Sequence, residues 1–519
     1  MTLNARFKGF LTVFLFLIIV RHGYCTDTLQ IKKLELTAKV WGFVVFKTEH
    51  RISNPDKELL KFIRFTDKKE SYEIYRHRLY QWTRRRLSVT KSNCNCNEGI
   101  LPPSMLWVSD TLLLGNDLSK YLTPFTHICS TKGCPQYHLK KAIPVFYQEI
   151  KSSPNKTKRH YMLLGAIKYW NITNYFYSYL TDCATDWNKE LSEFLYRFDT
   201  LQSYKDYYMA LLQFSQKLHD GHARIYSTWA ADHLFTYEIP CEVEVYDNQA
   251  IVIKIDSSSS LQKNDIITSV NHQPIQKCIS YWEKYLSSST HGWFLHTMRN
   301  YLFTSNDSIM NLDIVRNGMS LNIDILLVKR RKNKKIETDN VYNMNRDSIG
   351  YIHLGNLQLY HIAQMKQQLQ SAKVLIVDAR EYPNSTLEAL SPWLIDEHKV
   401  FAYHSTCNTS CLGSYLKDSS ITTANKPDRY QGTILFVIDR STISQGEFMS
   451  MAFLQSTNVI LMGRSTAGAI GVTSQFNLPG DITCRITTSR ISLPDGSAIQ
   501  QQGISPSVNL SENKEIVTS

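Results

Sequence analysis

Apolar residues recur at three- and four-residue intervals in two stretches of the first half of the chain, at 40–75 and at 168–207. Each stretch contains a tryptophan, a Lys-Glu-Leu segment and a Ser-Tyr segment in the same order. This spacing is the period of an amphipathic helix with one buried face, so both stretches predict helices whose aromatic side chains pack in a core. Their similarity predicts an internal repeat of one helical unit.

From about residue 231 the pattern changes to short apolar runs and to alternation of apolar and polar positions. Runs such as Cys241–Val245 and Ala250–Ile253 predict strands. The segment 261–275 that follows resembles the central part of a PDZ domain, in which a strand, a tight turn and a second strand succeed one another. PDZ domains bind extended peptides at a sheet edge, so the resemblance implies a domain that handles polypeptides.

The last third alternates apolar runs with helix-like segments. Two runs, Val374–Val377 and Thr433–Ile438, are bounded by Asp378 and Asp439. Continuous apolar runs separated by helices predict buried parallel strands joined by crossovers. Chemistry in such sheets is found at the carboxyl ends of the strands, where both aspartates are expected.

These changes of pattern predict an α+β multidomain protein with an N-terminal helical region, a PDZ-like β domain and a C-terminal α/β core. The predicted segments are a signal peptide (1–25), a helical unit (26–92), a Cys-rich insertion (93–160), a second helical unit ending in the His222 motif (161–230), the PDZ-like domain (231–335) and the catalytic core (336–519). Because the insertion is rich in Cys, Pro, Asn and Lys, it predicts a disulfide-stapled loop region.

The first 25 residues have the layout of a secretory signal peptide. Arg6 and Lys8 precede an apolar run at 10–20, and a short polar stretch ends at Cys25. The run is shorter than the roughly 20 residues that span a bilayer, so we expect a secreted or periplasmic protein without stable membrane insertion. A lipid anchor at Cys25 is the alternative, although the bulky Tyr24 before it is unfavourable for that processing.

Eleven cysteines are many for a cytosolic enzyme and favour disulfides in an exported protein. Cleavage after Cys25 leaves an even number, which allows complete pairing. Three close pairs also have spacings seen in zinc sites: Cys94/Cys96, Cys129/Cys134 and Cys407/Cys411. No histidine or carboxylate completes a usual metal pattern, so neither a metal nor another cofactor is predicted.

The formal net charge of +12 is concentrated in clusters such as 84–86 and 329–332. A basic patch can bind nucleic acid, but an exported chain without a nucleic-acid motif favours a solvated basic face. We therefore expect no nucleic-acid partner.

The stretch 436–452 predicts a buried strand, a short polar turn and a helix that begins near Ser444 and Gln445. Backbone N–H groups at a helix start have no partner within the helix, so they can face an oxyanion while the serine hydroxyl faces a substrate. Taken alone, a serine at such a turn is usually only a helix cap.

This stretch resembles the nucleophile motif T-x-S-x-x-E of the C-terminal processing (tail-specific) peptidases, which include the tricorn core protease. Thr442, Ser444 and Glu447 match it. Further motifs of the family are matched in the same order along the chain, at 218–222 (L-x-D-G-H), 349–352 (I-G-Y-I), 375–380 (L-I-x-D-x-R), Gly463/Thr466/Gly468 (G-x-x-T-x-G), 494–496 (P-D-G) and 503–506 (G-I-x-P). The resemblance implies a crotonase-like serine-peptidase core and Ser444 as nucleophile.

The family contains two ways of activating the serine. One subtype uses a lysine just after the T-x-G turn, where this chain has Ala469. The tricorn-like subtype uses the histidine of the D-G-H motif, which His222 matches. An imidazole has an ordinary pKa of about 6.5 and is a suitable general base near neutral pH. The resemblance therefore implies a Ser444–His222 pair.

Two further roles are implied less directly. Gln500 stands where the tricorn-like subtype has a glutamate, and its amide oxygen is expected to accept the imidazole N–H and fix the tautomer. Oxyanion donors are expected from the backbone of Gln445 and of Glu381 or Tyr382, because proline at 383 has no N–H.

The resulting hypothesis is an exported serine endopeptidase that acts on polypeptides, with its oligomeric state left open. A catalytically inactive family member that binds peptides or apolar ligands is the alternative. A third interpretation, a surface-interaction protein built on the basic, Cys-rich first 160 residues, depends on composition only.

Overall fold

The computed structural model describes residues 28–92, 105–126, 128–130, 132–141, 143–147, 152–256, 259–330, 341–396, 398–421 and 429–510. The predicted signal peptide and the Cys94/Cys96 pair lie outside these residues. Among the described helices, none has both the length and the apolar character needed to cross a membrane.

Helices dominate the first half, whereas strands dominate the second. They are α1 (28–47), α2 (Pro55–Thr66), α3 (Tyr72–Arg86), α4 (Thr111–Leu122), α5 (Arg159–Phe176), α6 (Trp187–Thr200), α7 (Tyr204–Gln216), α8 (Thr228–His233), α9 (Ile275–Trp282), α10 (His291–Leu302), α11 (Ile362–Leu369), α12 (Leu387–Leu394) and α13 (Gln445–Phe453). Short 3₁₀ turns lie at Leu106–Ser109, Thr123–Phe125, Pro154–Lys156, Leu180–Asp182 and Leu359–His361.

The strands are β1 (Lys91–Ser92), β2 (Cys129–Ser130), β3 (Tyr137–Lys140), β4 (Ile143–Phe146), β5 (Arg224–Ser227), β6 (Tyr237–Glu238), β7 (Cys241–Val245), β8 (Ala250–Ile255), β9 (Ile266–Val270), β10 (Gln273–Pro274), β11 (Thr304–Ser305), β12 (Ile309–Arg316), β13 (Met319–Leu326), β14 (Val328–Lys329), β15 (Tyr342–Met344), β16 (Ile349–His353), β17 (Val374–Asp378), β18 (Val400–Cys407), β19 (Tyr415–Ile421), β20 (Thr433–Ile438), β21 (Val459–Gly463), β22 (Thr473–Leu478), β23 (Ile482–Thr487), β24 (Arg490–Ser492) and β25 (Val508–Asn509).

Each of the two similar stretches forms three helices in the same order, α1–α3 and α5–α7. The third helix of each set begins after a serine whose hydroxyl accepts the backbone N–H three residues on, Ser71 for α3 and Ser203 for α7. This cap satisfies one of the unpaired N–H groups at a helix start and explains why the Ser-Tyr segment recurs. The buried Trp41 and Trp170 lie in one shared core, as the helical period predicts.

The insertion contains more regular structure than its composition predicts. Within its described residues, Asp110 caps α4, Leu114 and Leu118 of that helix are buried, and β3 and β4 form a hairpin that ends at the buried Phe146. The prediction of a loop region is therefore wrong for these parts. A few apolar residues at helical or alternating spacing suffice to join the core, whatever the average polarity of the segment.

A second unit is built on an antiparallel sheet with strand order β13–β12–β9–β8–β7. The predicted strands Cys241–Val245 and Ala250–Ile253 are confirmed as β7 and β8. Helix α10 packs beside β7, and Phe294 and Met298 of α10 enter the same apolar core as Val243. β7 is the outer strand of this sheet.

The C-terminal core contains a six-stranded sheet with the order β15–β16–β17–β20–β21–β25. All its neighbouring strands are parallel except the β15–β16 pair, so the prediction of buried parallel strands is confirmed. Asp378 is the last residue of β17 and Asp439 follows β20 directly. Both aspartates therefore lie at the carboxyl edge of the sheet, as expected.

A three-stranded sheet, β22–β23–β5, joins the helical region to the C-terminal core. β5 follows the His222 motif in the chain, whereas β22 and β23 come after the Ser444 helix. Phe476 and Ile486 of this sheet pack into the core of the helical region. The predicted boundaries at 230 and 336 therefore separate strands that pair in the structure.

The described cysteines include both a disulfide-bonded residue and free thiols. Cys411 forms a disulfide bond, but thiols remain at Cys134, Cys183, Cys278, Cys407 and Cys484. Complete pairing of the cysteines is therefore wrong. Cys407 and Cys484 are buried among apolar residues, where cysteine packs as a small hydrophobic side chain.

Candidate active site

Ser444 lies between the end of β20 and the first residue of α13, as predicted. Its backbone has φ +57° and ψ −109°, a conformation that a residue with a side chain rarely adopts. Such geometry costs about 1–3 kcal/mol and persists only where surrounding contacts enforce it. Here the Ser444 N–H donates to Ala469 O at 3.0 Å, and the Phe448 N–H donates to Ser444 O at 2.9 Å.

Thr442 fixes the turn that carries the serine. Its hydroxyl donates to Ala379 O at 3.1 Å and accepts the Asp439 N–H at 3.0 Å. Its carbonyl accepts the Ala467 N–H at 2.9 Å. Two residues before Ser444, the Thr442 side chain thus ties together the ends of β17 and β20, and the Thr442 carbonyl holds the turn at 466–469. These contacts account for the first position of the T-x-S motif.

Glu447 is completely buried and holds the opposite side of this turn. Its Oε1 accepts from Thr466 Oγ1 at 2.6 Å and from the Gly468 N–H at 2.7 Å. Its Oε2 accepts the N–H groups of Ser444 and Ala469, both at 3.1 Å. Burial raises the pKa of the Glu447 carboxyl to about 7, while these hydrogen bonds act in the opposite direction.

His222 follows α7 in a tight loop and is 7% exposed. Its Nδ1 lies 3.3 Å from Thr487 Oγ1. The Thr487 hydroxyl donates its only proton to Asp220 Oδ2 at 2.7 Å, because a carboxylate accepts but does not donate. Thr487 can therefore only accept from the imidazole, which puts the imidazole proton on Nδ1 and leaves Nε2 as the basic atom.

Burial lowers the pKa of His222 to about 4. Asp220 raises this pKa in part, whereas the nearby guanidinium groups of Arg224 and Arg485 lower it. At neutral pH the imidazole is therefore uncharged and can accept a proton.

The loop before His222 is held by residues of the β-sheet unit that the sequence pattern does not single out. Ser287 Oγ accepts the Asp220 N–H at 3.0 Å and Ser289 Oγ accepts the Gly221 N–H at 2.7 Å. The indole N–H of Trp293 donates to Gly221 O at 3.3 Å. A Cβ at Gly221 would lie 2.8 Å from both Trp293 and Ala469, so only glycine fits this position of the D-G-H motif.

Gln500 lies at the site but not in the predicted contact. Its Oε1 accepts the Ile470 N–H at 3.0 Å, so this oxygen is engaged away from the imidazole. Its Nε2 donates to Asp220 Oδ1 at 3.1 Å. The expectation that its oxygen accepts the imidazole N–H is therefore wrong. Thr487 has that position, and Gln500 orients the aspartate behind it.

Ser444 and His222 line the same cavity of about 580 Å³. Within the described residues no hydrogen bond joins the two side chains. The other lining residues are Ile143, Gly221, Arg224, Trp293, Tyr382, His404, Ile443, Gln445, Phe448, Ile470, Gly471, Val472, Thr473, Arg485 and Ile491. The cavity thus combines an apolar set of side chains with two arginines and contains no lysine among these residues.

The predicted oxyanion donors differ in their surroundings. Among the hydrogen bonds of the described residues, none uses the backbone N–H of Gln445, Glu381 or Tyr382. Gln445 and Tyr382 line the cavity, and the Tyr382 side chain is 60% exposed. Glu381 is not among the lining residues, and its carboxylate lies 3.7 Å from Nε2 of His353. The described residues contain no cluster of three or more His, Cys, Asp or Glu side chains arranged for a metal ion.

Part of the C-terminal half resembles known proteins in sequence. Residues 348–510 match the model of peptidase family S41. A carboxy-terminal processing protease, CtpA of Bacillus subtilis (strain 168), is 25% identical over 208 residues, which are 38% of this chain and 42% of that protein. The match thus spans less than half the length of that relative.

Solved structures of mature CPAF have a similar fold. The structure of mature CPAF has a TM-score of 0.58 at 14% identity and covers 69% of this chain and 94% of its own. Its complex with lactacystin has a TM-score of 0.57 at 13% identity and covers 69% and 95%.

The matched region, which contains Ser444, Glu447 and Gln500, is a serine-type peptidase domain. Residues 348–510 are thus similar to the C-terminal processing proteases of peptidase family S41. His222 lies outside the matched residues.

Proposed function

We propose that this protein is a serine endopeptidase that cleaves polypeptides through an acyl-enzyme on Ser444, with His222 as general base. The observation that carries the proposal is the shared cavity: a serine in strained backbone geometry at a helix start, and a neutral imidazole whose Nδ1 is held by Thr487. A family member built only to bind peptides would not need this strain or a fixed tautomer.

In the proposed reaction His222 Nε2 takes the Ser444 hydroxyl proton as the oxygen attacks the peptide carbonyl. The resulting imidazolium gives its proton to the leaving amine, and water then releases the acyl group by the reverse sequence. The described residues that line the cavity include no lysine, and Ala469 occupies the position of the family's lysine. Both observations support the Ser–His subtype over the Ser–Lys subtype.

The oxyanion that forms in this reaction requires N–H donors directed at it. The Gln445 N–H, unpaired at the start of α13 and in the cavity lining, is the first donor that we propose. The Tyr382 N–H is the second, because Tyr382 lines the cavity and Glu381 does not.

We further propose that the sheet unit is PDZ-like and that the C-terminal core is crotonase-like. A groove of about 240 Å³ between β7 and α10 supports the first part, since β7 is an edge strand to which an extended peptide can add. Its lining includes Val243, Arg299 and Phe303. We retain export to an extracellular or periplasmic compartment as part of the proposal, on the layout of residues 1–25.

The test compares the wild-type chain with Ser444→Ala and His222→Ala on a panel of unfolded proteins and on a fluorophosphonate probe. General-base assistance is typically worth about 10²–10⁴-fold, so His222→Ala should lower the cleavage rate by that range and Ser444→Ala should abolish it together with labelling. Both variants should retain the thermal unfolding midpoint of the wild type to within a few degrees.

Ser441→Ala is the matched control, because Ser441 lies three residues from the nucleophile and outside the cavity lining. Its hydroxyl has one proton and lies within hydrogen-bond distance of two acceptors, Asp439 Oδ1 and Arg380 O. Labelling at Ser444 must survive this change. Cleavage that persists in Ser444→Ala, or a wild-type chain that neither cleaves nor is labelled, would refute the proposal.

A further inference from the structure

Two arginines face each other across neighbouring strands inside the cavity. Arg224 of β5 and Arg485 of β23 are direct partners in the antiparallel register, and both line the same cavity as Ser444 and His222. Side chains opposite each other in such a pair lie on one face with their Cβ atoms about 5 Å apart, and like charges there are destabilising. The fold therefore keeps two positive charges together at a free-energy cost.

In the part of the chain that the structure describes, neither guanidinium has an acidic partner. Among the described residues, no ion pair or hydrogen bond involves the side chain of Arg224 or Arg485. Arg224 lies over the Trp293 ring at 5.6 Å and Arg485 lies over the Tyr226 ring at 5.7 Å. The Nε of Arg485 is buried without a hydrogen-bond partner. An unsatisfied buried donor is destabilising, so this group is prepared for an acceptor that comes from outside the chain.

Other arginines near the site are already neutralised. Arg380 pairs with Asp378 at 2.7 Å, and Arg440 pairs with Glu244. Their positive charge is used to hold the ends of strands in place. Arg224 and Arg485 differ from both of these arginines. No described carboxylate neutralises them, and their side chains form part of the cavity wall.

We propose that Arg224 and Arg485 form a subsite for a carboxylate of the polypeptide substrate, on the His222 side of the scissile bond. Guanidinium groups bind carboxylates through paired, charge-assisted N–H···O hydrogen bonds, and two adjacent arginines can share one carboxylate. Arg224 is two residues from His222, which brings the bound carboxylate next to the reacting peptide. The proposal rests on the proposed function, since it assigns a specificity to the same cavity.

The bound carboxylate also affects the general base. The two arginines lower the pKa of His222, so they oppose the imidazolium that forms during proton transfer. A substrate carboxylate between them offsets this positive charge at the moment of reaction. An acidic substrate thus gains in rate as well as in binding, whereas a neutral one leaves the imidazolium beside two uncompensated cations.

Binding is measured first, on the full chain carrying Ser444→Ala, so that the outcome does not depend on turnover. Fluorescence anisotropy with labelled peptides compares glutamate with glutamine at successive positions, each with a free or an amidated C-terminus. A charge-assisted pair is worth about 1.5–3 kcal/mol, so the acidic peptide should bind about 10- to 10²-fold more tightly. The two series distinguish an acidic side chain from a terminal carboxylate as the ligand.

The ratio to follow is the affinity for the glutamate peptide divided by the affinity for the glutamine peptide. Arg485→Gln and Arg224→Gln, each in the Ser444→Ala chain, should reduce this ratio to near one. Arg64→Gln, on the exposed face of α2, is the matched control and should leave the ratio unchanged. Arg485→Glu, a charge reversal, should favour a lysine peptide instead.

Equal binding of acidic and neutral peptides by the Ser444→Ala chain overturns the subsite, even if the wild-type chain cleaves both. A ratio that survives both glutamine variants overturns it as well. Conversely, a wild-type chain that cleaves nothing but keeps an arginine-dependent preference for acidic peptides refutes the proposed catalysis and leaves the subsite intact. The two proposals can therefore fail separately.

Discussion

The Thr487 hydroxyl has a single proton, and that proton is directed to Asp220 at 2.7 Å. The threonine oxygen can then only accept from His222, so Asp220 determines the imidazole tautomer through an intervening hydroxyl. Gln500 completes the arrangement from the other side of the carboxylate. In the proposed mechanism Thr487 is a positioning residue, because it acts on the substrate only through His222.

The decrease of kcat/KM at low pH, the acid limb of its pH profile, tests this arrangement. The base must be neutral, and burial lowers the pKa of His222 from an ordinary 6.5 to about 4. We expect activity to persist down to about pH 5 and to fall with an apparent pKa near 4, since kcat/KM reports the free enzyme. Circular dichroism over the same range must show a folded chain. An acid limb centred near 6.5 would contradict the buried imidazole.

Thr487→Val removes the hydroxyl and keeps the shape of the side chain. A hydrogen bond to a charged group contributes about 1.5–3 kcal/mol, so kcat/KM should fall by about 10- to 10²-fold as the imidazolium loses its acceptor. The acid limb should move further down in pH for the same reason. Thr487→Ser keeps the hydroxyl and should restore both properties. A valine variant with reduced activity but an unmoved acid limb would indicate a structural role only.

At the residue scale, the sequence predicts what is encoded in consecutive positions. Ser444 and His222 stand in short motifs, and the structure brings both to one cavity. Thr487 is 265 residues from His222 and is an ordinary β-branched residue on a strand, so nothing local marks it. The Arg224–Arg485 pair depends on the register between β5 and β23, which no local pattern specifies.

At the scale of elements, the strand–turn–helix at Ser444 was predictable because its parts are adjacent in the chain. The role of Glu447 was open to prediction too, since a serine followed three residues later by glutamate is typical of a helix N-terminus. What the pattern does not contain is the second set of donors, from Thr466, Gly468 and Ala469. Those contacts convert a local cap into a link between α13 and a distant turn.

Glu447→Gln tests this link. The Glu447 carboxylate accepts hydrogen bonds from four donors, and a glutamine would place its NH₂ group against two of them. Each buried donor left without an acceptor costs about 1–3 kcal/mol. We expect a lower unfolding midpoint and a loss of activity of about 10²-fold or more, because the serine backbone shifts. Glu388→Gln makes the same chemical change at an exposed position of α12 and should alter neither property.

The pH dependence of stability gives an independent measure of Glu447. Its carboxyl pKa is about 7 in the folded protein against an ordinary 4.5, so between these values the folded state binds the proton more tightly than the unfolded chain. Its contribution to the free energy of unfolding is therefore complete below pH 4.5 and is lost as the pH rises through 7. The wild-type stability minus that of Glu447→Gln should decline over this interval. A difference that is independent of pH would contradict the raised pKa.

At the scale of the whole molecule, the candidate active site is assembled from three parts of the chain. The helical region ends in the His222 loop, the C-terminal core supplies Ser444, and the sheet unit between them contacts both. Ser287 and Ser289 hold the His222 loop, and Thr290 Oγ1 donates to Ala467 O at 3.1 Å. The order of these parts could be predicted from changes of hydrophobic period, but their packing could not, because it depends on contacts between distant residues.

Arg440 connects the core to the sheet unit by a buried ion pair and a hydrogen bond. It follows β20, is 6% exposed, and donates to Val245 O at 2.8 Å and to the Glu244 carboxylate at the end of β7. Arg299 of α10 shares the same carboxylate at 3.3 Å. The turn that carries Ser444 is therefore attached to the edge strand of the proposed peptide groove through one buried guanidinium.

Arg440→Met keeps much of the side-chain volume and removes this connection. Removing one partner of a buried ion pair typically costs about 3–5 kcal/mol, although Arg299 still neutralises part of the Glu244 charge, so we expect the lower end of that range. Because β7 then no longer holds the turn that carries Ser444 through Arg440, kcat/KM should fall and fluorophosphonate labelling of Ser444 should become slower. Arg330→Met removes the more exposed pair with Glu238, 3.8 Å apart, and should affect neither rate. Unchanged labelling in a destabilised Arg440→Met chain would mean that this contact supports the fold without aligning the two halves of the site.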